Sequence, residues 1–189
     1  MNLRKKMTVT ALILGTGAIL SGMQACSKKT SSNPPATLTL YDSLGGSAMV
    51  SDPANPGQMV EKGYLGIRTI VDSAVFIIAA DTQINGYFQV LLGEVTSGNT
   101  SGYQKLSTNF STFVAAATGA KDYTYKGLSM PAAHDPGQNP RISMKVDSSD
   151  FNRFVIDVAA SATKNGLPAY LLARVGAVLG SVEGQVVQR

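Results

Sequence analysis

Four stretches of this chain repeat apolar residues at helical spacing, which confines it to packed helices. The clearest is DSSDFNRFVIDVAASATKNG (147–166), where Phe151, Phe154, Val155, Val158, Ala159 and Ala162 form one stripe. Residues three and four apart share a helix face, so such a stripe is a face made for burial. Asp147 is placed to cap this helix, Asp150 falls in its first turn, and Gly166 supplies the stop. GIRTIVDSAVFIIAAD (66–81) carries Ile67, Ile70, Val71, Ala74, Val75 and Ile78 at the same spacing. YQKLSTNFSTFVAAATG (103–119) carries Leu106, Phe110, Phe113, Val114 and Ala117, with Gly119 as a natural end. PAYLLARVGAVLGSV (168–182) starts on Pro168, which suits a first turn, and presents Leu171, Leu172, Val175, Val178, Leu179 and Val182. No alternating run longer than TLTLY (37–41) and no internal repeat is present. The fold class read from these patterns is all-α. Three segments rich in Gly, Pro, Asn and Ser, at 51–58, 96–102 and 135–141, read as surface insertions.

The N-terminus is of another kind. MNLRKK is basic, MTVTALILGTGAILSG is apolar but short for a membrane span, and MQAC places small Ala25 before Cys26. This looks like a bacterial lipoprotein signal over residues 1–25, which would make Cys26 the lipid-bearing N-terminus of the mature chain. Cys26 is the only cysteine, so no internal disulfide is available. SKKTSSNPPAT then reads as a tether, giving 26–37 as linker and 38–189 as the folded domain. The expected location is the bacterial cell envelope, lipid-anchored, on the periplasmic or outer-membrane side. The chain has 16 Lys+Arg against 12 Asp+Glu, but Arg4, Lys5 and Lys6 leave with the signal, so 13 against 12 remain. The basicity therefore belongs to the leader, and nothing in the body points to nucleic acid. No Cys/His cluster suggests a zinc site.

The one histidine, His134, lies in YKGLSMPAAHDPG (125–137). A short apolar run ends on it, and Asp135, Pro136 and Gly137 stop the run at once. Ser129 can cap this helix and Pro131 can occupy its first turn. A helix this short has no stability of its own and needs something to dock against. Taken alone, the residue reads as a histidine in a surface loop.

The order of several motifs changes that reading. LYDSLGG (40–46) is followed by IRTIVDSAVFIIAADTQINGYF, KLSTNFSTFVAAATG, YKGLSMPAAH, VDSSDFNRFV and NGLPAYLLARVGAVLG. Together the set resembles the truncated haemoglobins of group I, across nearly all of 38–188. The resemblance implies a 2-on-2 helical sandwich, two helix pairs around a haem b. It makes His134 the proximal ligand of the haem iron, and an iron–imidazole bond would then hold the short helix in place. It places Phe88, with Tyr87 before it, against the haem face, and Tyr125 and Met130 near the haem edge. Leu106 and Phe110 take the two distal-helix positions that face a bound gas. Gly45 and Gly46 would let the first helix turn sharply, and Gly119 and Gly127 keep glycine positions typical of the family.

The distal side departs from the family. Where many members carry a tyrosine this chain has Val75, and where a glutamine often helps it has Leu106 and Phe110. A register one residue different would bring Thr69, Thr108 or Asn109 in as a donor. Without a donor, bound O2 loses a hydrogen bond worth about 1.5–3 kcal/mol, or roughly ten- to a hundredfold in release rate. The function implied is reversible binding of a diatomic gas (O2, NO or CO), for oxygen binding or transport or for NO handling, with the redox partner unassigned. NO dioxygenation or peroxidase-like chemistry draws on polar distal groups, which the apolar set does not offer. The competing reading is a globin-like lipoprotein without haem that serves as an interaction or structural module.

Overall fold

A computed structural model describes residues 38–189; the leader, tether and Cys26 lie outside the described residues. The chain forms α1 (Leu40–Ser43), a hairpin of β1 (Met49–Ser51) and β2 (Met59–Glu61), and α2 (Lys62–Ala80). A 3-10 turn at Asn85–Phe88 leads into α3 (Gln89–Thr96). Then come α4 (Ser101–Thr118), α5 (Met130–Ala133), α6 (Ser148–Lys164), α7 (Ala169–Gly180) and α8 (Glu183–Val186). The four stripes read from the sequence are the cores of α4, α6 and α7 and the greater part of α2.

Helix α2 packs on both α4 and α6, while α6 and α4 each also contact α7. The main chain of the molecule is thus two crossed helix pairs, with α2 at the centre. The residues that α2 buries include Ile67, Val71, Ala74 and Ile78, which recur at i, i+4, i+7 and i+11 and so make one face that serves both partners. Close approach needs small residues opposite. On α4 these are Ser107, Ser111, Ala115 and Thr118, all buried. On α6, buried Ser161 donates its hydroxyl to the Ile70 carbonyl at 2.7 Å and so stitches α6 to α2. Asp147 caps α6 by accepting from the Asp150 amide at 3.0 Å, and Asp150 accepts from the Asp147 amide at 3.1 Å. That reciprocal capping box explains why the helix starts where it does.

Several elements differ from the sequence reading. The described part of TLTLY, residues 38–41, is no strand: Thr39 caps α1, its hydroxyl accepting from the Asp42 amide at 3.0 Å. The segment 51–58 is the loop of the antiparallel β1–β2 hairpin, with Val50 opposite Val60. Three-residue strands carry too little alternation to be seen in sequence. Their stability comes from Asp52, buried in the loop, which accepts from the Ala54 amide, Asn55 Nδ2 and both Nη groups of Arg68 on α2. The guanidinium fork holds the Asp52 carboxyl far below the usual carboxylate range. Pro168 precedes α7 as its cap residue instead of lying in the first turn. Helices α3 and α8 were not legible, being only eight and four residues long.

At the corner after α2, Arg153 on α6 pairs with Asp81, and Asp157 lies one turn further along with Oδ1 3.8 Å from the same guanidinium. Asp157 is 3% exposed, and its Oδ2 has no hydrogen-bond partner. Burial therefore raises its pKa above the ordinary 3.8. Folded chains then keep a proton that unfolded chains have lost, so stability falls as pH rises above that ordinary value. Replacing Asp157 with Asn removes the slope: the variant should gain in melting temperature relative to the parent between about pH 4 and pH 7. A difference independent of pH would show that Asp157 titrates normally. A second prediction concerns Gly119, the end of α4, at φ 104° with an added Cβ falling 3.0 Å from Thr39 Cβ. Gly119→Ala should cost about 1–2 kcal/mol, read from the urea midpoint.

Candidate functional site

An apolar cavity of about 240 Å³ lies between α4 on one side and α5 with the start of α6 on the other. It is far larger than the space of one buried water and suits an organic ligand. The α5 helix, which puts His134 at this cavity, is held by its neighbours. Ser129 caps it, accepting from the Ala132 amide at 3.4 Å. Asn139 Nδ2 donates to the Ala133 carbonyl at 2.7 Å, and Gln188 Nε2 donates to the Pro131 carbonyl at 2.7 Å. The C-terminal segment is itself anchored, since the Gln188 amide donates to the Val146 carbonyl at 2.9 Å, and α8 packs on α5. The sequence reading placed only an iron bond under this helix; a protein scaffold is there as well.

His134 is the residue that ends α5. Its Nδ1 lies 2.8 Å from the Met130 carbonyl oxygen, which can only accept, so Nδ1 carries the proton and Nε2 bears the lone pair. Nε2 has no partner among the described residues. Burial holds the imidazole below its ordinary pKa, a pull larger than the opposing one from the Met130 carbonyl. The ring is therefore neutral near neutral pH and able to donate its Nε2 lone pair to a metal.

The structure brings Tyr87, Phe88, Leu106, Phe110, Tyr125 and Met130 to the walls of the cavity that His134 lines. Val75 is not among them. It lines a smaller adjoining cavity of about 40 Å³ behind Leu106 and Phe110. Both hydroxyls of the predicted aromatics are already engaged. Tyr87 Oη bonds Asp150 and accepts from Arg189 at 2.9 Å; burial first, then Asp150, push its pKa up to about 12. Tyr125 Oη donates to the Leu128 carbonyl at 2.6 Å. The ring lies over Gly127, where a side chain would overlap it, which explains the glycine in the YKG motif. Of the three alternative donors, Thr69 is exposed and bonded to the Leu65 carbonyl, and Thr108 is exposed. Asn109 alone lines the cavity, half-buried.

Phe113, Phe154, Lys105 and Arg141 also line the cavity and were not among the site residues read from the sequence. Phe113 follows Phe110 by three residues on one stripe, and Phe154 stands 5.6 Å from Phe110, ring to ring. Periodicity marks such residues as buried but does not say in what. Arg141 sits in the loop after α5, where spacing carries no signal.

No group of three or more His, Cys, Asp or Glu side chains that could hold a bare metal ion occurs among the described residues. A single imidazole on an apolar cavity suits a metal that brings its remaining ligands with it, as a haem does. Aromatic walls and two solvent-accessible cations, Lys105 and Arg141, fit the same group.

No protein-family model and no curated protein matches the chain. Among solved structures it is similar to a truncated haemoglobin from Tetrahymena pyriformis, a point variant in the Fe(III) form, at TM-score 0.57 and 16% identity. It is also similar to the 2/2 haemoglobin of a Synechococcus species in the cyanomet state with covalently attached haem, at TM-score 0.55 and 20% identity. Each likeness covers 80% of this chain and 100% of the other. At such identities the likeness speaks for architecture: residues 38–189 have the truncated, 2-on-2 globin fold.

Proposed function

We propose that the chain is a haem protein of the group I truncated haemoglobin type that binds a diatomic gas at an iron held by His134. The observation that carries the reading is the geometry of that imidazole: Nδ1–H is spent on Met130, while Nε2 is unpartnered at the wall of an apolar cavity. Haem b, when bound, would supply an iron able to take a small gas as well as a protein ligand. His134 supplies the protein ligand, and Met130, through its carbonyl, fixes the tautomer and the ring orientation. Phe88 and Tyr87 pack against the group from the corner after α2. Leu106 and Phe110 make the distal wall apolar and keep water from it, with Val75 behind them. Tyr125 and Met130 border the proximal side. The polar distal donors that oxygen or peroxide chemistry uses are thin here, so gas binding fits better than enzymatic turnover.

The same reading extends to location. The leader and Cys26 support export and lipid attachment at the bacterial envelope, with the globin domain facing the periplasm or the outside.

Two measurements test it. The purified protein, mixed with haem, should show a strong Soret band that shifts on reduction and CO. His134→Ala should lose most of its haem, whereas Met130→Ala should keep it, because a backbone carbonyl survives that change; equal haem content in the two would overturn the ligand assignment. For the distal side, Leu106→Gln, which puts a donor on the cavity wall, should slow O2 release roughly ten- to a hundredfold, as read by stopped-flow displacement with CO. An unchanged rate would show that position 106 does not reach the gas.

A further inference from the structure

We propose that Arg141, held in place by Glu94, binds a carboxylate of the tetrapyrrole at the mouth of the cavity. The inference rests on the haem reading above and names a contact that the sequence resemblance does not supply, since Arg141 belongs to the inserted loop 135–141.

Arg141 Nε donates to both oxygens of Glu94 on α3, at 3.1 and 2.9 Å. Only one of the five N–H donors of the guanidinium is used in this way. Nη1 and Nη2 have no partner among the described residues, so the terminal fork is unspent. The pair crosses the first turn of α4 above Gly102, where an added Cβ would overlap Glu94 and come within 2.6 Å of Arg141 Nε. Glycine there makes room for the pair. The loop that carries Arg141 is pinned on both sides. The Arg141 amide donates to Asn139 Oδ1 at 3.2 Å, and the Ser143 amide donates to the Tyr87 carbonyl at 3.0 Å. Arg141 is thus a cavity-lining cation, 34% exposed, whose position is fixed through Glu94 and the loop backbone.

Its surroundings say what it can take. Most other polar side chains on the cavity are spent: Tyr87 and Asp150 on Arg189, Tyr125 on Leu128, the Asn139 amide on Ala133; Asn109 is uncharged. Lys105, exposed on α4, is the other cation of the lining and has no ion pair among the described residues. An apolar cavity whose two cations are both solvent-accessible suits a flat apolar molecule with acidic groups on one side. Haem carries two carboxylates on one edge, and burying either without a partner would be costly. A guanidinium fork matches a carboxylate in geometry as well as charge.

The test compares haem with its dimethyl ester, in which both carboxylates are masked. Each is loaded onto the purified protein, and its loss to an excess of a haem-scavenging apoprotein is followed by Soret absorption. Arg141→Gln should speed haem loss about tenfold, the lower end for a charged hydrogen bond, and leave ester loss unchanged. Arg141→Lys should recover part of the difference. If Arg141→Gln and Glu94→Gln speed the loss of both compounds alike, Arg141 is only a strut and the inference fails. No change with haem overturns it too. A parent protein that takes up neither compound refutes the haem reading itself, which separates the two failures.

Discussion

A helix of one turn cannot pay for its own order, because nucleation fixes several residues for a single hydrogen bond. Everything about the site follows from how the chain meets that constraint for Met130–Ala133. Capping by Ser129, the Asn139 amide on the Ala133 carbonyl and the Gln188 amide on the Pro131 carbonyl fasten three parts of the turn from outside. The Met130 carbonyl then becomes the reference point for His134 Nδ1. The imidazole is oriented by a main-chain atom whose position is set by side chains from the following loop and the far C-terminus. A chain cut short before α8 would lose that support, and with it Val186 of the cavity wall.

The C-terminal residues do more than brace α5. Arg189 reaches Asp147 at 3.2 Å, Asp150 at 2.9 Å and the Tyr87 hydroxyl at 2.9 Å. Two of these acids form the capping box of α6, and Tyr87 belongs to the corner that leads out of α2. One terminal cation therefore ties the start of α6 to the corner that carries Phe88. The arginine is half exposed, so each ion pair contributes modestly; its value lies in joining elements that are far apart in sequence.

The helices were legible because each buries one broad face, and burial on one face leaves a period of 3.6 in the sequence. Asp147, Ser129 and Gly119 could be read as helix ends because caps need particular side chains or a positive φ. His134 was legible through resemblance and not through pattern, since a lone imidazole in a loop has no periodicity. The hairpin, α3 and α8 escaped because they are short and owe their order to tertiary contacts such as Asp52 with Arg68. Val75 shows the opposite limit. Its helix was read correctly, yet the structure sets it behind Leu106 and Phe110, lining a separate small space. One-dimensional register says which face a residue occupies but not how deep the opposing side chains reach.

Helix α4 shows how much one amphipathic segment can encode. At about 100° per residue, Leu106, Phe110 and Phe113 cluster within about 60° of one another, and Lys105 and Asn109 lie within about 40° on one flank of that band. The buried small residues Ser107, Ser111, Ala115 and Thr118 fall on average roughly 130° away from the cavity band, facing α2. A two-class reading of apolar against polar merges two different jobs here, since the face that packs closest on α2 is built from serine, alanine and threonine. Enlarging that stripe would push α4 away from α2 and narrow the cavity without altering a single lining residue. Close helix packing and the cavity wall therefore draw on separate positions of the same helix, so the apolar wall can change while the packing face stays as it is.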